Sequence, residues 1–343
     1  MRKKFIVLVG VVLFAIACSK SADIADLFVP FTRPTNFPET VYPVNRNPVT
    51  QAGFELGRKL FYDALLSADN TISCGNCHIQ TAAFTHHGHD LSHGIHDLLG
   101  KRNAPAIQNM AWYKTFMWDG GIFDLDLQPI APITNPVEMD ETIPNVLKKL
   151  NADRTYPGLF QKAFGSNVIT TDLLMKALSQ FMVMLVSADS KYDKVMRKEG
   201  PAFTAAEENG YAIFKEKCAT CHQEPLFTDQ SFRNNGLPVS SANDEGRFDI
   251  TLNPADRYKF KVPSLRNIML TAPYMHDGRI LNIDGVLDHY ANGVKATPNL
   301  DPLLQQSGQM GIQLSAQERT NLKAFLSTLT DSFFIKNPRF SEQ

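Results

Sequence analysis

The chain has little cysteine, little tryptophan and almost no net charge for its 343 residues. Its five cysteines are Cys18, Cys74, Cys77, Cys218 and Cys221, and an odd number spread this thinly does not form a disulfide framework. The 34 Lys and Arg balance 35 Asp and Glu to a formal net charge of −1, so there is no electrostatic reason to expect nucleic acid or a strongly charged membrane surface as partner. Residues 5–16 are the one long apolar run. They fall short of the roughly 17–25 residues that span a bilayer, and no later stretch is long enough. What is present is a globular composition. Apolar residues make up 43% and charged residues 20%, enough for a large core and against global disorder. The length suggests two domains of ordinary size.

Arg2, Lys3 and Lys4 precede the apolar run, and Ala17 follows it, so residues 1–17 read as a secretory signal. A mature chain beginning at Cys18 after Ala15-Ile16-Ala17 resembles a bacterial lipoprotein, with Cys18 carrying the lipid. Leucine is commoner where Ala15 stands, which leaves cleavage by ordinary signal peptidase as the alternative. Ser19 offers no acidic retention signal and is compatible with the outer membrane. Residues 18–47, with Pro30, Pro34, Pro38 and Pro43, read as an extended tether. The expected location is the periplasm, with membrane contact only through the lipid.

Beyond the tether the signals are helical. Ile143, Val146, Leu147 and Leu150 make one apolar face, and Leu174, Leu178, Phe181 and Leu185 another. Thr204 with Glu207, and Ser315 with Glu318, have the form of capping boxes, the second opening a helix with Leu322, Phe325, Leu326 and Leu329 on one side. Few runs alternate as strands do. The fold class is therefore mainly α, with long loops, and helical segments lead into a cysteine motif twice.

Those motifs are Cys74-Gly-Asn-Cys77-His78 and Cys218-Ala-Thr-Cys221-His222, both C-x-x-C-H. Two thiols at this spacing add to the vinyl groups of one porphyrin, and the adjacent imidazole comes beneath the iron, which is the attachment pattern of c-type haem. A redox dithiol does not need the histidine. A zinc site would usually join the pairs in one cage, and a disulfide at this spacing would be strained. Two covalent haems account for every cysteine after Cys18. Catalysis on peroxide would need one iron with an open position and a nearby acid–base group, whereas a pure electron carrier has both axial positions filled.

Further segments resemble the bacterial dihaem cytochrome c peroxidases together with the MauG-type enzymes. They are Leu56-Gly-Arg-Lys-Leu-Phe61, Lys101-Arg-Asn-Ala-Pro105, Phe116-Met-Trp-Asp-Gly120, Asn135-Pro-Val-Glu-Met139, Lys261-Val-Pro-Ser-Leu-Arg-Asn267 and Thr271-Ala-Pro-Tyr-Met-His-Asp-Gly278. The resemblance runs from about residue 48 to 330. It implies two cytochrome c-like haem domains, peroxidatic over residues 48–190 and electron-transferring over 191–335. It also implies that Glu138 is the acid–base group, that Gln128 lines the same pocket, and that Trp118 relays electrons between the haems. Asn103, Thr271 and Pro273 match positions that hold a calcium ion, through the carbonyl oxygens that a hard cation prefers.

Two positions depart from the peroxidases. The histidine that blocks their resting peroxidatic haem would fall on Ile95, which cannot ligate iron. His93 and His96 are the substitutes a loop shift would bring, and the simpler expectation is a five-coordinate first haem. His86, His87, His89, His93 and His96 could suggest a metal site, although solvated histidines near haem suit a polar loop better. The sixth ligand of the second haem would be Tyr290, where the peroxidases place methionine and the MauG-type enzymes tyrosine. A hard phenolate favours oxidised iron and lowers its potential. His289 and Met275 are rival ligands. The function expected is reduction of hydrogen peroxide to water with electrons from a cytochrome c or similar donor. The alternatives are a MauG-type enzyme that oxidises a protein or small organic substrate, and a dihaem electron carrier without turnover.

Overall fold

The computed structural model describes residues 28–343 except 241 and 307. The signal sequence and Cys18 lie outside the described residues. Residues Arg33–Gln343 form one compact unit, mainly helical as expected. Its helices are α1 (Gln51–Tyr62), α2 (Cys74–Cys77), α3 (Ile130–Thr134), α4 (Ile143–Ala152), α5 (Tyr156–Phe164), α6 (Thr171–Met184), α7 (Lys191–Arg197), α8 (Ala205–Lys217), α9 (Phe248–Thr251), α10 (Ile283–Asp288) and α11 (Ala316–Ser327). The described strands are four dipeptides forming two antiparallel ladders, β1 (Phe232–Arg233) with β2 (Phe260–Lys261), and β3 (Gln305–Gln306) with β4 (Gln309–Met310).

Each half is organised by one close helix crossing. In the first half α1 packs on α6, whose residues Leu174, Leu178 and Phe181 are fully buried. In the second α8 packs on α11 through Phe214, Leu322 and Phe325. Burial of each such side chain contributes about 1.5–3 kcal/mol. Glycine sets the approach in both. A Cβ on Gly57 would stand 1.9 Å from the Ala177 carbonyl oxygen, and one on Gly210 would stand 2.0 Å from that of Asn321. The capping boxes read at Thr204 and Ser315 are formed, with each hydroxyl accepting from the Glu backbone N–H and each Glu side chain accepting from the cap residue.

The likeness of the halves extends well past the cysteine motifs. Residues 104–122 and 262–280 run in parallel without a gap, matching Pro105 to Pro263, Asn109 to Asn267, Met117 to Met275, Asp119 to Asp277, Gly120 to Gly278 and Ile122 to Ile280. The backbone repeats too: Asn109 and Asn267 have φ of 56° and 58°, and Gly120 and Gly278 both 66°. Phe116 N–H donates to the Ile122 carbonyl at 2.8 Å, and Tyr274 N–H to that of Ile280 at 2.7 Å. The two copies exchange partners. Asn103 N–H donates to the His276 carbonyl at 2.8 Å, and Lys261 N–H, at the matching position, donates to the Trp118 carbonyl at 2.7 Å.

Residues 33–47 correct the expected tether. Phe37 and Tyr42 are buried. The Trp112 indole N–H donates to the Pro38 carbonyl at 2.8 Å, and the Tyr42 hydroxyl to Asp126 at 2.7 Å. The prolines that hide any periodicity here space aromatic anchors instead of freeing the chain. At the other end the chain returns to the first half, where Tyr62 donates to the Phe340 carbonyl at 2.7 Å and Phe334 packs on Phe84.

One buried ion pair braces the second half, and another joins the two halves. Arg266, wholly buried, donates to both oxygens of Asp193 at 2.8 and 2.9 Å. Burial alone would raise the Asp193 carboxyl, but the guanidinium holds it below the usual carboxylate range. Arg102 reaches across to Asp244 at 2.6 Å and also bonds Asp119.

Candidate functional site

The two C-x-x-C-H segments present the same local device. His78 Nδ1 lies 2.8 Å from the Phe84 carbonyl and His222 Nδ1 3.1 Å from the Phe227 carbonyl. Phe84 and Phe227 are fully buried residues in the left-handed region, at φ 61° and 56°. Nδ1 therefore carries the proton and Nε2 is left for iron. Burial pushes His78 down to about 4 and lowers His222 as well, so both imidazoles are neutral as ligation requires. Burial also pushes the Cys74 and Cys218 thiols up to about 12 and Cys77 to about 11. A redox dithiol needs the opposite shift. All four cysteines are unpaired, and among the described residues no group of three or more His, Cys, Asp or Glu converges as a metal cage. Of the readings open for the motifs, these geometries fit covalent haem.

Beside Cys218, Cys221 and His222 lies a cavity of about 650 Å³, lined also by Tyr290, Met275 and Trp118. That volume is within the range of cofactor sites. Tyr290 sits in a π-helical turn, His289–Gly293, and burial pushes its phenol up to about 12 while a hydrogen bond from Asn235 opposes. Asn235 joins all three rival ligands. Its carbonyl lies 3.0 Å from His289 Nε2, its amide nitrogen 3.4 Å from the Met275 sulfur, and its side chain bonds Tyr290. His289 is thereby committed to a backbone carbonyl, whereas Tyr290 and Met275 line the cavity.

On the first side Glu138 is held by the loop that carries Ile95. Ile95 N–H donates to the Glu138 carbonyl at 2.7 Å, and Gly94 lies so close that a Cβ there would be 2.4 Å from Glu138 Cα. Burial raises the Glu138 carboxyl, and bonds from Ser92, at 3.5 Å, and Asn135 partly offset this. The same loop links the carboxylate to the first attachment site, since Ser92 bonds Glu138 and the carbonyl of the next residue, His93, accepts from the Cys77 thiol at 3.3 Å. Gln128 donates to the Met117 sulfur at 3.8 Å, one residue from Trp118.

Ile95 is buried. His96 turns outward, 69% exposed and 3.9 Å from Asp69. The His93 carbonyl accepts from the Cys77 thiol at 3.3 Å, and its ring packs with those of His89 and His86. His86 and His89 are stacked at 4.1 Å, with His87 exposed. Stacked rings do not aim their nitrogens at one ion.

Trp118 lines the cavity, and its indole N–H donates to the Asn103 carbonyl at 2.9 Å. Trp112, the other tryptophan, is buried beneath the residue 33–47 segment. Asn103, Thr271 and Pro273 all line the same cavity. The Asn103 amide nitrogen bonds the His89 and Asp90 carbonyls at 3.0 and 3.1 Å. Ser92 and Asn235 escaped notice in the sequence, and Asn135 and Lys261 were read only as the first residues of longer segments, with no role of their own. The repeat of residues 104–122 in 262–280, extended back one residue, would have marked Lys261 as the partner of Asn103.

Fold and site together define a protein with two c-type haems. A family model described as di-haem cytochrome c peroxidase matches residues 51–200, and one described as cytochrome c matches residues 207–330. The methylamine utilization protein MauG of Methylorubrum extorquens is 35% identical over 92% of this chain and 87% of its own length. The cytochrome c551 peroxidase of Nitrosomonas europaea is 34% identical over 80% of this chain and 79% of its own. Among solved structures, a MauG-like protein associated with microbial copper homeostasis aligns with a TM-score of 0.82 at 35% identity, covering 92% of this chain and 99% of that one. The chain belongs to the dihaem cytochrome c peroxidase and MauG family, and is a peroxidase of the oxidoreductase class acting on hydrogen peroxide.

Proposed function

We propose that hydrogen peroxide is cleaved on the haem side of Cys74, Cys77 and His78, with Glu138 as the acid–base group. The observation that carries this reading is Glu138 itself, a carboxylate raised by burial and held by the residue 92–95 loop, whose His93 carbonyl also accepts from the Cys77 thiol. Bound haem supplies the redox chemistry, and the residues supply proton handling and access. Overall, hydrogen peroxide, two electrons and two protons give two waters. Glu138 takes a proton from the peroxide and returns it to the departing oxygen, which asks for a carboxyl poised nearer neutrality than usual. Gln128 lines the approach. Ile95 is buried without a ligating atom, His96 turns outward and the His93 ring packs on His89 and His86, which supports a first haem that would be open without prior reduction.

Cys218, Cys221 and His222 would hold the haem that receives electrons from a cytochrome c or similar donor, and Trp118 would relay them to the first haem. In this reading residues 48–190 and 191–335 are the peroxidatic and electron-transfer domains. A calcium ion is held near Asn103, Thr271 and Pro273; the Asn103 amide nitrogen is spent on two carbonyls, and its oxygen is the atom left for a cation. The protein is exported to the periplasm, with Cys18 as lipid anchor.

A second reading is favoured by Tyr290 in the cavity beside Cys218 and Cys221. A phenolate there suits storage of an oxidising equivalent, as in a MauG-type oxidation of a protein or organic substrate. Steady-state peroxide consumption by the holoprotein with a reduced c-type cytochrome, beside Glu138→Gln, tests the main reading. Turnover that depends on Glu138 supports it. Peroxide consumed only when an organic substrate is present supports the second, and no turnover with both haems loaded leaves an electron carrier.

A further inference from the structure

The cavity beside the second C-x-x-C-H segment is lined by three long cationic side chains, and two are neutralised by the protein. Lys217 pairs with Glu318, and Arg233 with Asp229 and Asp301 at 2.8 Å each. The third is Lys261. Its ammonium donates to the Thr115 carbonyl at 2.6 Å and faces the rings of Tyr113 and Phe116 at 5.2 and 6.0 Å. No carboxylate among the described residues pairs with it. Asp119, the acidic group that influences it, is already bound by Arg102 and by the Gly121 N–H. An ammonium has three donors, and here the protein engages one. An uncompensated cation taken out of water is strongly disfavoured unless a partner offsets the loss of hydration. Burial accordingly pushes Lys261 down to about 8. The arrangement calls for an anion.

Haem carries two carboxylates on its propionate arms. We propose that Lys261 receives one propionate of the haem attached at Cys218 and Cys221, and so fixes a positive charge between that haem and Trp118. Three observations converge on it. Lys261 lines the same cavity as Cys218, Cys221 and His222. Its backbone N–H donates to the Trp118 carbonyl at 2.7 Å, so the charge and the indole share one local frame. The matching position in the other half is the neutral Asn103, so the charge is given to one haem site alone. A cation beside a haem stabilises the reduced, more negative state, which raises the potential of that centre and opposes the effect of a Tyr290 phenolate. This proposal rests on the assignment of haem to the second motif; a haem count separates failure of that assignment from failure of the role given to Lys261.

The test is a spectroelectrochemical titration of the holoprotein in which both haems are followed separately and two haems per chain are confirmed in each variant. Lys261→Met is expected to lower the midpoint of the second haem and leave the first unchanged, and Lys261→Arg to restore it. An unchanged second midpoint, or equal shifts in both haems, overturns the proposal. The anion could instead be a free carboxylate or chloride. In that case the wild-type midpoint would move with added acetate or chloride, and this too overturns it. Should the Met variant mature without haem, the propionate bending bands in the resonance Raman spectrum of the wild type decide: altered hydrogen bonding on raising pH through the Lys261 titration supports the contact, and unaltered bands contradict it.

Discussion

The two halves share a helix crossing, an attachment segment, a histidine held by a buried phenylalanine carbonyl and a 19-residue loop, yet differ at the few positions that touch the iron-facing space. Where the first half has Glu138 and Ile95, the second has Tyr290 and His289 around Asn235. Where the first has Trp118 at the turn, the second has His276, stacked on Phe260 at 3.7 Å. Shared parts build a haem site, and the differing ones set what it does. Under the function proposed above, one scaffold used twice divides proton chemistry from electron handling by changing a handful of side chains.

The largest effect should come from removing what only the first half has. Glu138→Gln is expected to lower peroxide turnover by about 10²- to 10⁴-fold, the usual contribution of a positioned acid–base group, with both haem spectra intact. Because burial raises this carboxyl, the wild-type rate should fall as pH drops through a value above the ordinary glutamate range, and the variant should lose that limb of the pH profile.

Next comes a pair at matching positions, Arg266 and Gln108. Arg266→Met strands the buried Asp193 carboxylate and should cost about 3–5 kcal/mol in unfolding experiments. Gln108→Leu, which leaves the amide of Asn267 without its partner at 2.6 Å, should cost about 1–3 kcal/mol. Asp193 also predicts a pH dependence. Its folded value is depressed, so its stabilisation is present above the unfolded value of about 3.9 and is lost as pH falls through the depressed folded value. Asp193→Asn should flatten the acid side of the stability curve.

The glycine crossings offer a test of likeness. Gly57→Ala and Gly210→Ala each push a methyl into a backbone carbonyl and should destabilise by about 1–3 kcal/mol alike; a large inequality in denaturant midpoints would show that the two crossings are not equivalent. The smallest effect is expected at His96, which faces Asp69 and solvent. His96→Ala should leave the ferric spectrum of the first haem unchanged, and a spectral change would return this histidine to the iron.

Much of this was legible in the sequence. C-x-x-C-H is a local pattern, and local patterns survive without tertiary knowledge. Leu174, Leu178 and Phe181 showed their buried face through spacing alone, and the Thr204 and Ser315 caps were set by neighbours three residues on. The residue 33–47 segment misled because prolines suppress periodicity while Phe37 and Tyr42 find their partners more than 70 residues away. Asn235 was invisible, and Lys261 was read only as the start of a segment, for a related reason: each acts through groups from distant loops that sequence spacing does not bring together.

The exchange in which Asn103 bonds the His276 carbonyl and Lys261 that of Trp118 bears on how the protein comes apart. Each half closes its own turn with a backbone donor borrowed from the other, so opening one turn unpairs both. Amide protons at Asn103 and Lys261 should therefore exchange with deuterium through a common opening event. Limited proteolysis should accordingly give either the intact body or small peptides, with no stable half.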